Sequence, residues 1–460
     1  MNGDSKMTKK YWVLFVLFQF LLNGAVLGEE LPPLPKGPLI LTTVVPEQLK
    51  PDYWISRLPD AQQLLKTPEQ IRAFNEDIRY MIPEVKDVFK LDLAIAGKSI
   101  RDQIQLEYKA IKGRKLFDSQ NVTVPASFFE EKIKPQLALE KIPARIKLKW
   151  GAAIRATSVR ALPTDFKMIE KVDDIEFDQL QFTLIKLWTP VGIYQTSANG
   201  EWLYIQAPYT RGWVKAKDIA VFSSRDQVKQ YVKSGSTLVV TGESIPVYME
   251  PAMTTVLRRA SMGTVLPRAE NAANMYVVWM PAQKKDGTLL MLKGYVSLKA
   301  DVSKGFLPFT QKNVIRQGFK LLGARYGWGG MYNGRDCSGF THDVFLPFGI
   351  DMPRDSRQQA LIGTQLGHYQ PFSDEPSKNA ALEEGRPAIT LLKMPLHIMI
   401  YLGEVNGRHY VIHSTWAERI SMTSDAKNRI NQVVVSDLSL NGKSRIGSLF
   451  DRTISINELD

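Results

Sequence analysis

Hydrophobic and polar residues follow one another with four rhythms along this chain, and each rhythm predicts a different structure. Residues 11–22 are almost wholly apolar, preceded by Lys6, Lys9 and Lys10 and followed by the small residues Val26 and Gly28. That is the pattern of a cleavable export signal over 1–28, and the run is short for a transmembrane helix. The stretch Leu31-Pro-Pro-Leu-Pro-Lys-Gly-Pro38 carries no core pattern and reads as an extended arm. From about 45 to 150 the apolar positions recur at helical spacing. Thr67-Pro68-Glu69-Gln70 is a capping box with proline at the first helical position, and Ile71, Phe74, Ile78 and Met81 then fall on one face. A mainly helical, non-catalytic domain is expected over 29–150.

Between 151 and 303 the period shortens to that of strands, and one pattern occurs twice. Trp202-Leu-Tyr-Ile-Gln-Ala-Pro208 leads into Gly212-Trp213-Val214, and Met275-Tyr-Val-Val-Trp-Met-Pro281 leads into Gly294-Tyr295-Val296. Two small barrels in tandem are expected, at 151–225 and 226–303. They resemble the bacterial SH3-like domains that accompany cell-wall enzymes.

Composition narrows the chemistry. The 460 residues carry a net charge of +12, about +10 once the signal is removed. An exported basic protein meets anionic envelope polymers rather than nucleic acid. Cys337 is the single cysteine, so it has no disulfide partner within the chain. All five histidines, His342, His368, His397, His409 and His413, lie with it in the last 155 residues. The chain has no HExxH motif, no second thiol and no GxSxG elbow; no metal site, no cofactor and no serine nucleophile are expected.

Glycines precede Cys337, Asp336 is a good N-cap, and Phe340, Val344 and Phe348 repeat at helical spacing up to Gly349. The cysteine therefore opens a helix, where unpaired N–H groups favour a thiolate. A base and an orienting group are then needed. His397 begins an alternating strand over 396–402, and His413 ends a second one over 408–413, with Asn406-Gly407 between them. A three-residue loop pairing Glu404 with Arg408 puts both histidines on one face; a two-residue Asn-Gly turn does not. The first register is expected because it closes a Cys337–His397–His413 triad.

These motifs resemble the NlpC-type cell-wall cysteine peptidases, a papain-like family. The matching residues are Tyr326-x-Trp328-Gly329-Gly330, Asp336-Cys337-Ser338-Gly339-Phe340, Arg354-Asp355-Ser356-x-x-Gln359, His397 before Ile400-Tyr401-Leu402-Gly403, and His413, across about 304–460. Met399 stands near the base where the family commonly has glycine. The whole arrangement is similar to the subgroup with a helical N-terminal stabilising domain and two SH3-like domains. The resemblance implies a multidomain α+β chain and a monomer in the periplasm or envelope, without stable membrane insertion after signal removal. It implies hydrolysis of the γ-D-glutamyl–meso-diaminopimelate bond in peptidoglycan stem peptides. Cys337, His397 and His413 would be catalytic. Tyr326, Asp336, Ser338, Asp355, Ser356 and Tyr209 would serve oxyanion or substrate binding, with Asp355 and Ser356 at the peptide's amino end. Rival readings are an amidase or acyltransferase on the same scaffold, or a non-catalytic wall-binding protein.

Overall fold

Local signals place the helices. The computed structural model describes residues 37–460, so the export signal and most of the proline-rich arm lie outside the described residues. Thr67 caps helix α1, Pro68–Met81, accepting from Gln70 N while Gln70 accepts from Thr67 N at 2.8 Å. Helix α2, Gly97–Lys112, buries Ile100, Ile104, Tyr108 and Ile111 along one stripe. These two stripes are completed by different neighbours. Ile71, Phe74 and Ile78 of α1 pack with Trp54 against Phe309, Phe340 and Val344 of the C-terminal part. Ile100, Ile104 and Tyr108 of α2 pack with Trp150, Tyr204 and Trp213. The segment expected as one helical domain thus shares two cores. An amphipathic stripe specifies a face to bury, not the surface that buries it.

The strand pattern yields two seven-stranded antiparallel sheets. The first comprises β1 (Lys149–Ala153), β2 (Thr157–Arg160), β3 (Gln181–Ile185), β4 (Pro190–Thr196), β5 (Trp202–Ala207), β6 (Thr210–Lys215) and β7 (Ile219–Phe222). The second comprises β8 (Thr237–Val240), β9 (Ser244–Tyr248), β10 (Val256–Ser261), β11 (Val265–Asn271), β12 (Met275–Gln283), β13 (Leu289–Ser297) and β14 (Val302–Lys304). Their orders, β3-β2-β6-β5-β4-β1-β7 and β10-β9-β13-β12-β11-β8-β14, are the same order shifted by seven strands. The repeated Gly-aromatic-Val segments sit on the equivalent strands β6 and β13. Trp213 pairs with Arg160 and Tyr295 with Tyr248, the corresponding joins in each sheet.

The C-terminal part is an α+β layer. A six-stranded antiparallel sheet, β15-β20-β16-β17-β18-β19, is built from β15 (Thr364–His368), β16 (Thr390–Met394), β17 (His397–Val405), β18 (Arg408–Arg419), β19 (Lys427–Asp437) and β20 (Ser455–Glu458). Helices α3 (Gln311–Lys320), α4 (Cys337–Phe345) and α5 (Ser356–Gln359) accompany it. On one face Phe340 and Val344 of α4 meet Leu391, Ile398, Ile400 and Ile412, and α1 closes that core from outside. No helix among the described residues is long and apolar enough to cross a membrane.

This shared core makes α1 a structural part of the catalytic layer, so 304–460 cut out alone would expose Phe309 and its neighbours. Phe74, 7% exposed, should cost about 3–5 kcal/mol on truncation in Phe74→Ala. Denaturant unfolding read by exchange of the α4 amides checks this; unchanged α4 protection would make residues 37–85 only a tether.

Candidate active site

Asp336 starts the site. Its backbone is extended, and its carboxylate caps α4 by accepting from Gly339 N at 2.7 Å. The same carboxylate accepts from Gly329 N at 2.8 Å and from Arg354 Nη2 at 2.6 Å. The loop before Cys337 must lie against β3, which explains its glycines. Gly329 and Gly330 both have positive φ, and a Cβ at either would come within 2.7–2.8 Å of Gln181 or Leu184.

Cys337 then points at the start of β17. Its Sγ is 3.9 Å from Leu396 O, and Ile398 N–H also bonds to it. Between those residues stands His397, whose Nε2 is 2.7 Å from His413 Nδ1, the two rings crossing at 76°. His413 Nε2 is 3.0 Å from Ser436 Oγ. Two proton assignments satisfy the chain, and the one in which His397 Nε2–H donates to His413 and His413 Nε2–H donates to Ser436 leaves His397 Nδ1 free as the base. Ser436, three positions after Val433 on β19, was not legible because the β18–β19 register is not written locally.

The expected hairpin was right about the histidines and wrong about the loop. The turn is the two-residue Asn406-Gly407 type, both with positive φ, and Val405 pairs with Arg408. The extra residue sits inside β17 instead, where Tyr401 pairs with Val411 and Gly403 with Tyr410, leaving Leu402 as a bulge. The bulge restores the one-residue shift that the loop was expected to supply. Met399 is fully buried with Leu392, Tyr401 and Val411.

The other candidates divide. Tyr326 is half-buried within electrostatic reach of Cys337, and desolvation pushes its hydroxyl pKa well up, so it is a neutral donor. Asp336 is committed to the cap and to Arg354 rather than to a ligand. Ser338 Oγ accepts from Arg354 Nη1 at 2.9 Å. Asp355 caps α5, accepting from Arg357 N at 2.7 Å, with its side chain 46% exposed; Ser356 begins that helix half-buried. Tyr209 does not reach the nucleophile. Its hydroxyl donates to Leu184 O at 3.2 Å and its ring meets His342 at 4.5 Å, one helical turn along α4. His342 itself abuts Asp343, which pairs with Lys186 at 2.9 Å and Arg335 at 2.8 Å. Those residues line a cavity of about 310 Å³ to which Cys337, His397 and His413 do not contribute.

The first sheet's long β2–β3 connection also reaches the segment before Cys337. Phe177 packs against Trp328 at 5.5 Å and Trp416 at 5.3 Å, and Trp416 Nε1 donates to Glu176 Oε2 at 2.9 Å. Glu176 also pairs with Arg429 and, at 3.7 Å, with Arg325. No local signal marks Ile175-Glu-Phe177 as more than a loop.

Ionisation differs from the expectation of a resting thiolate. Burial, then the Asp336 carboxylate, pushes the Cys337 thiol up to about 12, against the opposing Ile398 N–H and Arg354. Burial and then His413 hold His397 well below the usual histidine range, and burial lowers His413 to about 3. Thiol and imidazole are both neutral here.

Comparison with known proteins agrees with this geometry. Residues 323–438 match the NlpC/P60 family, and residues 166–215 match the SH3 domain of SH3b1 type. A γ-D-glutamyl-L-lysine dipeptidyl-peptidase of Bacillus cereus (strain ATCC 10987 / NRS 248) is 27% identical over 189 residues, 40% of this chain and 50% of the relative. Its namesake from Bacillus subtilis (strain 168) is 35% identical over 98 residues, 20% of this chain and 30% of that protein. The chain thus spans half the length of the first curated relative and less of the second. The structure of an NlpC/P60 endopeptidase from Photobacterium damselae subsp. piscicida superposes with a TM-score of 0.72 at 19% identity, covering 93% of this chain and 98% of that one, a likeness of fold. Residues 323–438 thus carry a domain of the NlpC/P60 family and residues 166–215 an SH3-like one, in a chain similar to γ-D-glutamyl-L-lysine dipeptidyl-peptidases. The two curated names overturn the expected meso-diaminopimelate endopeptidase: they give L-lysine after the glutamate and dipeptide release as the activity. The SH3 match falls within the first sheet alone.

The raised thiol pKa sets a pH prediction. The thiolate fraction grows as pH rises toward the thiol pKa, so iodoacetamide should label Cys337 more slowly than a free thiol at pH 6 and faster with each unit above neutrality. Rapid labelling at pH 6 would reveal a resting thiolate–imidazolium pair.

Proposed function

We propose that this protein is a dipeptidyl-peptidase of bacterial wall peptides, cutting the γ-D-glutamyl–L-lysine bond with Cys337 as nucleophile. The observation that carries the reading is the thiol at the start of α4 lying against residues 396–398, beside a base whose far nitrogen is held by His413. The substrate class comes from the two curated relatives. The Glu176–Phe177 loop packs on Tyr326 and Trp328 of the segment before Cys337, and we read it as the barrier that limits how much peptide fits beside the nucleophile.

His397 Nδ1 takes the Cys337 proton as sulfur bonds to the γ-carbonyl carbon of D-glutamate. Negative charge develops on the carbonyl oxygen, within reach of Cys337 N–H and the Tyr326 hydroxyl. Collapse breaks the C–N bond, and His397 returns the proton to the leaving lysine α-amine. Water, deprotonated by the same nitrogen, then splits the thioester, freeing the dipeptide and restoring the thiol. His413 and Ser436 accommodate the tautomer that leaves Nδ1 basic. The second sheet, with its identical strand order, we read as a second SH3-like unit that braces the cleft rather than forming it. The basic chain and its wall-peptide substrate place the work in the cell envelope.

Purified full-length protein should convert free L-alanyl-γ-D-glutamyl-L-lysine to L-alanyl-D-glutamate and lysine, followed by mass spectrometry. Cys337→Ala should lower kcat/KM by a factor on the order of 10³ or more. Retained turnover by that variant, faster cleavage of the meso-diaminopimelate analogue, or efficient cleavage of N-acylated peptide would each sink the reading.

A further inference from the structure

Lys393 is a buried cation beside the nucleophile without an ion-pair partner. It is 4% exposed, and among the described residues no carboxylate lies within salt-bridge distance of its Nζ. It donates to Met394 O, which leaves two of its three N–H groups unused. Burying an ammonium on these terms is costly, and such a cation normally pairs or loses its proton. Lys186, the buried lysine of the first sheet, is paired with Asp343. Lys378, also without an ion pair, donates to two carbonyls, Phe450 O and Asp451 O, whereas Lys393 has one carbonyl partner.

Strand register aims it there. On β16, Lys393 pairs with Ile398 and Met394 with His397. Leu391, two residues away and on the same face, packs in the core that contains Cys337, whereas Leu392 and Met394 pack on the other face. Burial lowers the ammonium pKa, and the groups that favour its charge are first Cys337 and then Asp355. Ile398, its partner across the ladder, also donates its N–H to Cys337 Sγ, so the lysine stands one ladder position from the nucleophile. Arg354, a cation that acts on Cys337, already commits three of its five N–H groups to fixed partners. Its Nε, Nη1 and Nη2 are taken by Thr183 at 2.7 Å, Ser338 at 2.9 Å and Asp336 at 2.6 Å.

A γ-linked D-glutamyl residue brings what this lysine lacks. Its amide is formed through the side chain, so its α-carboxylate stays free, two methylenes from the carbonyl that Cys337 attacks. We propose that Lys393 receives this α-carboxylate and makes the enzyme selective for an acidic, γ-linked residue before the scissile bond. The assignment rests on the peptidase reading above and goes beyond it, because it names the residue and the substrate group that set selectivity. Charge pairing here positions the carbonyl as well as binding it, since the carboxylate and the reacting carbon belong to one short chain.

The test removes the charge from each side in turn. Full-length protein is given L-alanyl-γ-D-glutamyl-L-lysine and the same tripeptide with the α-carboxylate amidated to D-isoglutamine. The native enzyme should favour the carboxylate peptide in kcat/KM by a factor on the order of ten to a hundred, the worth of one charge-assisted hydrogen bond. Lys393→Met, which keeps most of the apolar stem, should bring the two peptides to about the same, lower kcat/KM, and Lys393→Arg should restore part of the preference. Equal cleavage of both peptides by the native enzyme would overturn the proposal without touching the peptidase reading. A parallel loss on both in Lys393→Met would assign the lysine to the thiol or to the fold, and also overturn it. No cleavage of either peptide by the native enzyme would instead remove the peptidase reading, and this assignment with it.

Discussion

The site depends on one carboxylate. Asp336 accepts from Gly339 N, Gly329 N and Arg354 Nη2, joining the first turn of the nucleophile helix, the glycine loop before it and the segment that leads into α5. Each bond contributes on the order of 1–3 kcal/mol at most. Their joint effect is geometric: three chain segments cannot move relative to Cys337 without leaving a buried charge unpaired. The cost appears at the thiol. Burial first, and then a fixed anion one residue away, oppose ionisation of Cys337 although it opens a helix. Position is secured at the expense of resting reactivity.

That cost explains why the histidine pair must be a strong proton acceptor only when needed. In this structure His397 is half-buried against a second neutral imidazole, and among the described residues no carboxylate bonds either ring. A hydroxyl at the end of the relay, Ser436, can accept from His413 without adding negative charge. Proton transfer from thiol to Nδ1 therefore creates two opposite charges in a dry site, and it becomes favourable as sulfur bonds to carbon and the charge moves to the oxyanion position. An ammonium on β16 facing the thiol fits the same logic, because it supplies fixed positive charge where thiolate, oxyanion and substrate carboxylate would gather.

Sequence legibility followed the range of the interaction. The Thr67 capping box, the Asp336 cap and the period-2 strands are local, and they appear where the pattern puts them. The hairpin shows the limit: Asn406-Gly407 forms the turn its chemistry favours, and the shift that aligns the histidines comes from a bulge at Leu402 that no residue type announces. Tyr209 was placed by proximity to the Gly-Trp-Val strand, yet β3 intervenes and directs its hydroxyl to Leu184. Lys393 and Ser436 were missed because each matters only through its neighbour across a ladder. The bond expected from family resemblance was wrong for another reason. Motifs around Cys337 encode how the thiol is activated, whereas the residue beyond the scissile bond is read by surfaces those motifs do not include.

The first sheet is therefore part of the catalytic geometry rather than an appendage. Gln181 Nε2 donates to Gly329 O at 2.9 Å, Trp328 Nε1 donates to Asp178 O at 3.0 Å, and Arg354 Nε donates to Thr183 Oγ1 at 2.7 Å. All three contacts come from residues 178–183, at the edge strand β3 and the turn before it. They hold the two segments that Asp336 joins, from the side opposite α4. A displacement of about 1 Å at a reacting group is enough to lose on the order of a hundredfold in rate. Shifting β3 would move the glycine loop and Arg354 together, and with them the cap that positions Cys337. The accessory sheet and the nucleophile are thus two ends of one hydrogen-bonded frame.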